Sequence, residues 1–328
     1  MTKEHFGRGP AGEDVTRVTL RGGGLTARFL TWGATLQDLR LDGVEHPLVL
    51  GSEDLAAYLG PMLYFGALVG RVSNRIDRGE AELGGELILL DRNEPHATLH
   101  GGPQGAGEKN WRIEALTQDA VTLALTMPDG EGGFPGTLEV RAHYRLGPDG
   151  LSLDLEAESD AETFCAFAHH SYWNLTGGPD LSGHILIVPA DRYLPVDDHL
   201  IPLGPPEPVA GTRFDFRAGR AVHETGDAIL DHNLCVDGEG LRTVCTLEAG
   251  GLLMEMSSDM PGLQIYDGYL LDTAPHLGLT GAPYGSRAGV ALEPQMWPDA
   301  PNHAEYPSVR LAPGETWRQR IRIRFRQV

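Results

Sequence analysis

Residues 138–157 read LEVRAHYRLGPDGLSLDLEA. Leu138, Val140, Ala142, Tyr144 and Leu146 alternate with Glu139, Arg141, His143 and Arg145. After Gly147-Pro148-Asp149-Gly150, Leu151, Leu153, Leu155 and Ala157 alternate with Ser152, Asp154 and Glu156. Period-two alternation on both sides of a Gly-Pro-Asp-Gly turn predicts a long antiparallel hairpin, apolar on one face and charged on the other. A sheet with one apolar face must bury it against a second layer, so this stretch predicts a large antiparallel β-sandwich.

The same period recurs outward from the hairpin. Val15–Leu20, Leu25–Leu30 and Ala34–Leu39 read as strands broken by glycines, and Val121, Leu123 and Leu125 as another. At the C-terminus Ile321, Ile323 and Phe325 alternate with arginines. Around Gly84-Gly85 the pattern predicts a small hairpin in which Ala81 and Leu83 face Leu87 and Leu89. Residues 53–60 read as one short helix, stopped by Gly60-Pro61. No long segment keeps a helical period, no linker tract interrupts residues 1–328, and Pro202–Pro208 reads as a surface loop. The expectation is a single all-β domain.

Composition narrows the function classes. The 43 glycines and 23 prolines suit many strands joined by tight turns. A formal charge of −20 argues against nucleic acid and anionic membrane surfaces as partners. Cys165, Cys235 and Cys245 cannot all pair and show no metal-binding spacing. The N-terminal residues carry no apolar signal region, and no apolar run is long enough to span a bilayer, which reads as a cytoplasmic protein.

Polar chemistry concentrates where strands end. In Ala166-Phe167-Ala168-His169-His170-Ser171-Tyr172-Trp173-Asn174-Leu175, alternation puts His170 on the face of Phe164, Ala166 and Ala168, and His169 on the other. An imidazole there, walled by Tyr172 and Trp173, can act as acid or base beside a ring-shaped ligand. Arg71, Asn74 and Arg75 follow an apolar run and suit hydroxyls, carboxylates or phosphate, or equally structural salt bridges. His100-Gly101-Gly102 lets backbone approach a ligand, or is a plain turn. Asp231, between apolar flanks, either grips hydroxyls or caps a turn. Glu293 shares a strand face with Gly289 and Ala291, small residues that leave room for a ligand, and Pro294 is expected to end the pairing. A strand-end glutamate that is costly to bury is a strong functional candidate.

These segments, with Asp231-His232-Asn233, Pro261-Gly262-Leu263-Gln264 and Glu293-Pro294-Gln295-Met296-Trp297-Pro298-Asp299, resemble in order and spacing the signature segments of the aldose 1-epimerase (galactose mutarotase) family. The resemblance spans nearly the whole chain and implies the family's antiparallel β-sandwich. It implies Glu293 as general base and His170 as general acid, with Asn74, Arg75, His100, Tyr172, Asp231 and Gln264 lining a monosaccharide. Arg71 would support the lining residues from behind or be structural, and His169 has no catalytic counterpart. Three departures bear on sugar preference: Tyr266-Asp267-Gly268-Tyr269, the short Gly105–Trp111 loop, and His199 in place of a smaller polar residue.

Anomer interconversion needs a proton taken from the anomeric hydroxyl and one given to the ring oxygen, then the reverse after rotation about C1–C2. The two groups end where they began, so no cofactor and no metal is expected. His170 is expected to stay protonated beside the carboxylate, with His100 and Arg75 stabilising charge on the ring oxygen. The rivals are a hexose-6-phosphate epimerase with a basic phosphate grip, a non-catalytic sugar-binding module, a glycosidase using Asp231 as second carboxylate, and a histidine metal site, which no HxxxH-like spacing supports. Monomer and homodimer both fit.

Overall fold

The computed structural model of the chain describes residues 1–223 and 228–328. The 138–147 and 150–159 strands pair in register from Leu138↔Ser159 to Gly147↔Gly150, and Pro148-Asp149 forms the two-residue turn. Burial alternates along both strands, as the sequence predicts. They sit inside a nine-stranded antiparallel sheet among the described residues. The C-terminal strand Thr316–Gln327 is inserted between Gly150–Ser159 and Leu252–Ser258, so the end of the chain completes the middle of the sheet.

A six-stranded sheet faces this one. In spatial order it runs Tyr172–Trp173, Val290–Gln295, Gly262–Tyr266, Asp231–Cys235, Arg192–Tyr193 and Glu207–Pro208. One face carries Trp173, Val290, Leu292, Leu263, Ile265 and Leu234 into the main core, against Leu123, Val140, Tyr144, Leu155, Met254 and Ile321 of the larger sheet. Each fully buried aliphatic side chain contributes about 1.5–3 kcal/mol, so this face is what ties the sheet down. A four-stranded meander, Thr2–Arg8, Asp14–Gly22, Leu25–Leu30 and Leu36–Leu41, adds Val18, Leu20 and Phe29 to the same core. The large antiparallel β-sandwich expected from the hairpin is the observed fold. The helix is a single turn, Leu55–Tyr58, capped by the Asp54 side chain, which accepts from Ala56 N. No helix among the described residues is long and apolar enough to cross a membrane.

Several local expectations are corrected. The fourth meander strand starts at Leu36, because Ala34 sits in a turn with φ +50°. In the 80–89 hairpin Ala81 pairs with Ile88 and Leu83 with Glu86, which leaves Leu87 and Leu89 on the exposed face. A one-residue register shift turns every side chain over, and the sequence there has apolar residues on both faces to choose from. Pro294 does not end pairing: the strand runs on to Gln295, and the Pro294 carbonyl accepts from Gln319 Nε2 at 2.6 Å.

Candidate active site

The face of the six-stranded sheet turned away from the main core carries two rows of polar and aromatic residues. Strand register sets Tyr172, Ala291, Tyr266 and Asp231 side by side, and Glu293, Gln264 and Asn233 in the next row. The odd positions of Val290–Gln295 point to this face because the even ones are claimed by the core. A cleft of about 310 Å³ lies over these rows, lined by Tyr64, Asn74, Arg75, Leu99, His100, His170, Tyr172, Leu200, Asp231, Tyr266, Tyr269, Leu270 and Glu293.

His170 Nε2 lies 3.5 Å from Glu293 Oε1, and both side chains are buried at the cleft floor. They come from segments 123 positions apart, which is why no spacing motif links them. The predicted alternation before His170 is observed: Phe164 and Ala166 pack in one cluster away from the main core, whereas Cys165 and Phe167 enter it. His169 turns to that core side, with its Nε2 3.2 Å from Ser171 Oγ and its ring edge-on to Tyr144. Trp173 also faces the core, so of the expected aromatic walls only Tyr172 meets the cleft.

Asn74 and His100 leave a two-stranded ribbon, Arg75–Asp77 paired with Ala97–Leu99, at its cleft end. Both have left-handed backbones, φ +58° and +54°, and they bond reciprocally: His100 N donates to Asn74 O at 2.9 Å, and Asn74 N donates to His100 Nδ1 at 3.1 Å. Non-glycine residues held at positive φ cluster where the surrounding structure needs a particular side-chain direction. The bond to Nδ1 fixes the tautomer: neutral His100 carries its proton on Nε2 and is a donor toward the cleft. Asn74 Oδ1 accepts from Arg75 N at 2.9 Å, which leaves the Asn74 amide nitrogen as donor. Gly101, at φ +90°, packs directly on Gly70, where an added Cβ would stand 2.1 Å from Gly70 O.

Arg75 is held by Glu94 through two bonds of 2.7 and 2.9 Å. Asp231 accepts from Gln264 Nε2 at 2.5 Å. Gln264 does not line the cleft; it sits in the Glu293 row, paired with Glu293, and reaches Asp231 in the neighbouring row through its side-chain amide. Asp267, in one of the three departures, forms an ion pair of 3.0 Å with Arg287 while its other oxygen accepts from Tyr269 N. The small residues beside Glu293 serve packing: a Cβ at Gly289 would meet Leu50 at 2.9 Å, and Ala291 lies opposite Tyr172. Arg71 is fully buried, and its guanidinium donates to the carbonyls of Met127, Pro135 and Gly136, as a structural role requires. Asn174 is likewise a loop organiser, accepting from Thr176 N and Gly177 N and donating to Ala288 O. Asp299 pins the ribbon, its N–H donating to Arg75 O and its carboxylate accepting from Asp77 N.

Burial dominates the electrostatics. It pulls the His170 imidazole down to about 4 and pushes the Glu293 carboxyl well above the usual range, an effect that the Asp231 charge reinforces. His100 is also pushed well below its ordinary value, by burial and then by His170. The expectation that the carboxylate keeps His170 protonated is therefore corrected: in the dry floor both partners favour their neutral forms. His100, His170 and Glu293 also bring one donor atom each within 4.8 Å of one another, a two-histidine, one-carboxylate set invisible to spacing arguments. The Asn74 bond, which puts the His100 proton on Nε2, opposes its use as a metal ligand.

Sequence reasoning missed Tyr64, Leu99, Leu200 and Leu270 in the lining, whereas the Tyr266–Tyr269 segment was singled out and supplies two of its aromatic rings. Tyr64 and Leu200 reach the cleft from remote loops and carry no local signal; Leu99 and Leu270 adjoin quoted segments. Of the three departures, Tyr266–Tyr269 touches the cleft and His199 borders it through Leu200. The Gly105–Trp111 loop only buttresses it, through Ala106 N donating to Gly70 O and Trp111 in the core.

Comparison with known proteins agrees with this geometry. The family model described as Aldose 1-epimerase matches residues 16–324. The galactose mutarotase of Mus musculus is 35% identical, covering 99% of this chain and 98% of its own. The aldose 1-epimerase of Escherichia coli K12 is 32% identical over 99% of both. The crystal structure of an aldose epimerase homologue from C. elegans superposes with a TM-score of 0.89 at 29% identity, covering 95% of this chain and 99% of that one. A β-sandwich with an acid–base cleft of this kind, in such company, is a carbohydrate isomerase. The chain belongs to the aldose 1-epimerase family.

Proposed function

We propose that this chain interconverts the α and β anomers of a free, neutral aldose, with Glu293 as general base and His170 as general acid. The observation that carries the assignment is the 3.5 Å approach of His170 Nε2 to Glu293 Oε1 at the floor of a ring-sized cleft. The working form is carboxylate and imidazolium, reached when the pair's single proton sits on His170. Glu293 takes the C1 hydroxyl proton while His170 protonates the ring oxygen, and the C1–O5 bond breaks to give the open-chain aldehyde. After rotation about C1–C2 the same two transfers run backwards on the other carbonyl face. Each positioned acid or base is worth ~10²–10⁴-fold.

The buried setting adds a driving force. Ring opening leaves Glu293 protonated and His170 neutral, the pairing that desolvation favours, so charge is cancelled as the ring opens. His100 Nε2–H and the Asn74 amide supply donors to sugar oxygens, and Asp231, oriented by Gln264, supplies an acceptor.

The phosphorylated-sugar reading lacks a grip. Arg75 is the one cation among the described residues lining the cleft, and Glu94 already neutralises it through both oxygens. The test is polarimetry of fresh α-glucose and α-galactose with Glu293→Gln. Loss of at least about 10³-fold in kcat, with sugar binding retained by calorimetry, is expected; near-normal turnover refutes the assignment.

A further inference from the structure

Arg75 meets the cleft with part of its guanidinium already committed. Nε and Nη2 donate to the two oxygens of Glu94 at 2.7 and 2.9 Å, the forked pairing by which an arginine otherwise grips a carboxylate or phosphate ligand. Nη1 makes no hydrogen bond among the described residues, and a guanidinium has no acceptor to offer, so what it presents to the cleft is a donor.

Local structure sets this clasp. Arg75 opens one ribbon strand, and Glu94 lies in the turn that leads into the other, Ala97–Leu99. Glu94 N donates to Ala97 O at 3.2 Å. Asn93 locks the same turn, its Oδ1 accepting from Leu99 N at 2.8 Å and its amide donating to Leu99 O at 3.0 Å. The Arg75 side chain is 13% exposed and that of Glu94 30%, so water and salt screen the pair less than they would a surface one. The surrounding charge has the same sign as Glu94. Asp231 and Glu293 line the cleft with Arg75, and burial, then Glu108 and Glu94, push the Tyr64 hydroxyl up, so the field of both carboxylates reaches the cleft wall. Asp231 makes no ion pair with Arg75 among the described residues; its carboxylate accepts from Gln264 instead.

We propose that Glu94 is the specificity-determining residue for substrate charge: by filling the Arg75 fork it turns an anion receptor into a donor to sugar hydroxyls and keeps acidic sugars out. Without the Glu94 charge, the same cleft takes uronates, pyranoses that carry a carboxylate. The inference rests on the reading of Glu293 and His170 as the acid–base pair. A uronate has the anomeric hydroxyl and ring oxygen of its parent aldose, so the two proton transfers at the floor are the same for both. What differs is binding. A uronate entering the cleft as it stands loses water around its charge and finds no open fork to replace it. A neutral sugar pays no such penalty and needs from Arg75 only the Nη1 donor.

The test measures anomer exchange of glucose and glucuronate at neutral pH, by exchange NMR, in wild type, Glu94→Gln, Glu94→Asp and the double variant Arg75→Gln with Glu94→Gln. In Glu94→Gln the ratio of kcat/KM for glucuronate to that for glucose is expected to rise about tenfold at low salt, chiefly through the glucuronate KM, which converts to ~1.4 kcal/mol. The rise should shrink at high salt. Glu94→Asp keeps the charge and is expected to keep the wild-type ratio, and the double variant, with no fork left to open, is expected to return to it. A ratio that Glu94→Gln does not move overturns the proposal. So does a rise that survives the loss of Arg75, or one that Glu94→Asp matches. A wild-type enzyme inert on both sugars refutes the reading of the floor instead. Calorimetry with glucuronate then decides the role of Glu94: about tenfold tighter binding by Glu94→Gln than by wild type supports it, and equal affinity overturns it.

Discussion

Glu293, the proposed general base, shows what burying a carboxyl costs the fold. Its folded-state carboxyl holds a proton at pH values where the unfolded chain has already released it. Stability on its account is therefore undiminished below the ordinary carboxylate range and falls as pH rises toward its elevated value. Glu293→Gln, a neutral isostere, should raise Tm at pH 8, with the gain fading by pH 4, even as mutarotation disappears; a Tm unchanged at pH 8 contradicts the burial argument. The rate profile follows from the same pair. One shared proton is needed, so activity falls when a second is added, near the His170 value of about 4, and when the shared one is lost, at a pH well above the ordinary carboxylate range. The acid limb of kcat/KM should accordingly lie near pH 4, without the inflection near 6.5 that a solvent-exposed histidine would give. An acid limb centred at 6.5 would mean that the floor is wet.

At the scale of elements, register does the assembling. Pairing Gln264 with Glu293, and Asn233 with Gln264, lines up residues from three strands, and the core's claim on Leu263, Ile265, Val290 and Leu292 turns that row to the opposite sheet face, where Glu293 lines the cleft. The second device is the buried Arg71 guanidinium, which gathers the carbonyls of Met127, Pro135 and Gly136 and so ties the 127–136 turn beneath the Gly70 segment. Among the described residues no carboxylate bonds it, and burial brings it down to about 10. Arg71→Lys keeps a charge but loses the fork geometry and strands buried carbonyls. It should cost about 3 kcal/mol or more in denaturant unfolding while leaving the KM of the folded fraction near wild type. A large KM change with unaltered stability would place Arg71 in the sugar site instead.

Across the whole molecule, histidines buried as neutral rings make the fold acid-sensitive. Burial holds His169 down to about 3 and His170 and His232 to about 4, against 6.5 for the free side chain. Between those limits the unfolded chain binds protons that the folded chain refuses, so stability declines as pH drops from 6.5 toward 4 and levels off below. His170 alone accounts for about 3 kcal/mol over that span. His169→Gln, on the core side and away from the cleft, should flatten the slope of unfolding free energy between pH 6 and 4 by roughly one proton, ~1.4 kcal/mol per pH unit. An unchanged slope would show that this ring titrates normally in the fold.

Alternation along residues 138–157 and 316–327 was enough to decide the sandwich, because a period of two with one apolar face has no other way to bury itself. The side-chain chemistry was legible too: Asn74, Arg75, His100, His170, Tyr172, Asp231 and Glu293, the residues singled out from motifs, gather in one cleft. Three things waited for the fold. Gln264 left the lining to hold Asp231, because strand register sets which amide meets which carboxylate. The expected charges on His170 and Glu293 gave way to neutral forms, because desolvation depends on what covers a group and no local sequence records that. The clasp of Glu94 on Arg75 emerged only where the two arms of the ribbon turn back on each other. Period and composition are properties of a segment, whereas burial, register and convergence belong to pairs of segments, and only packing brings those pairs together.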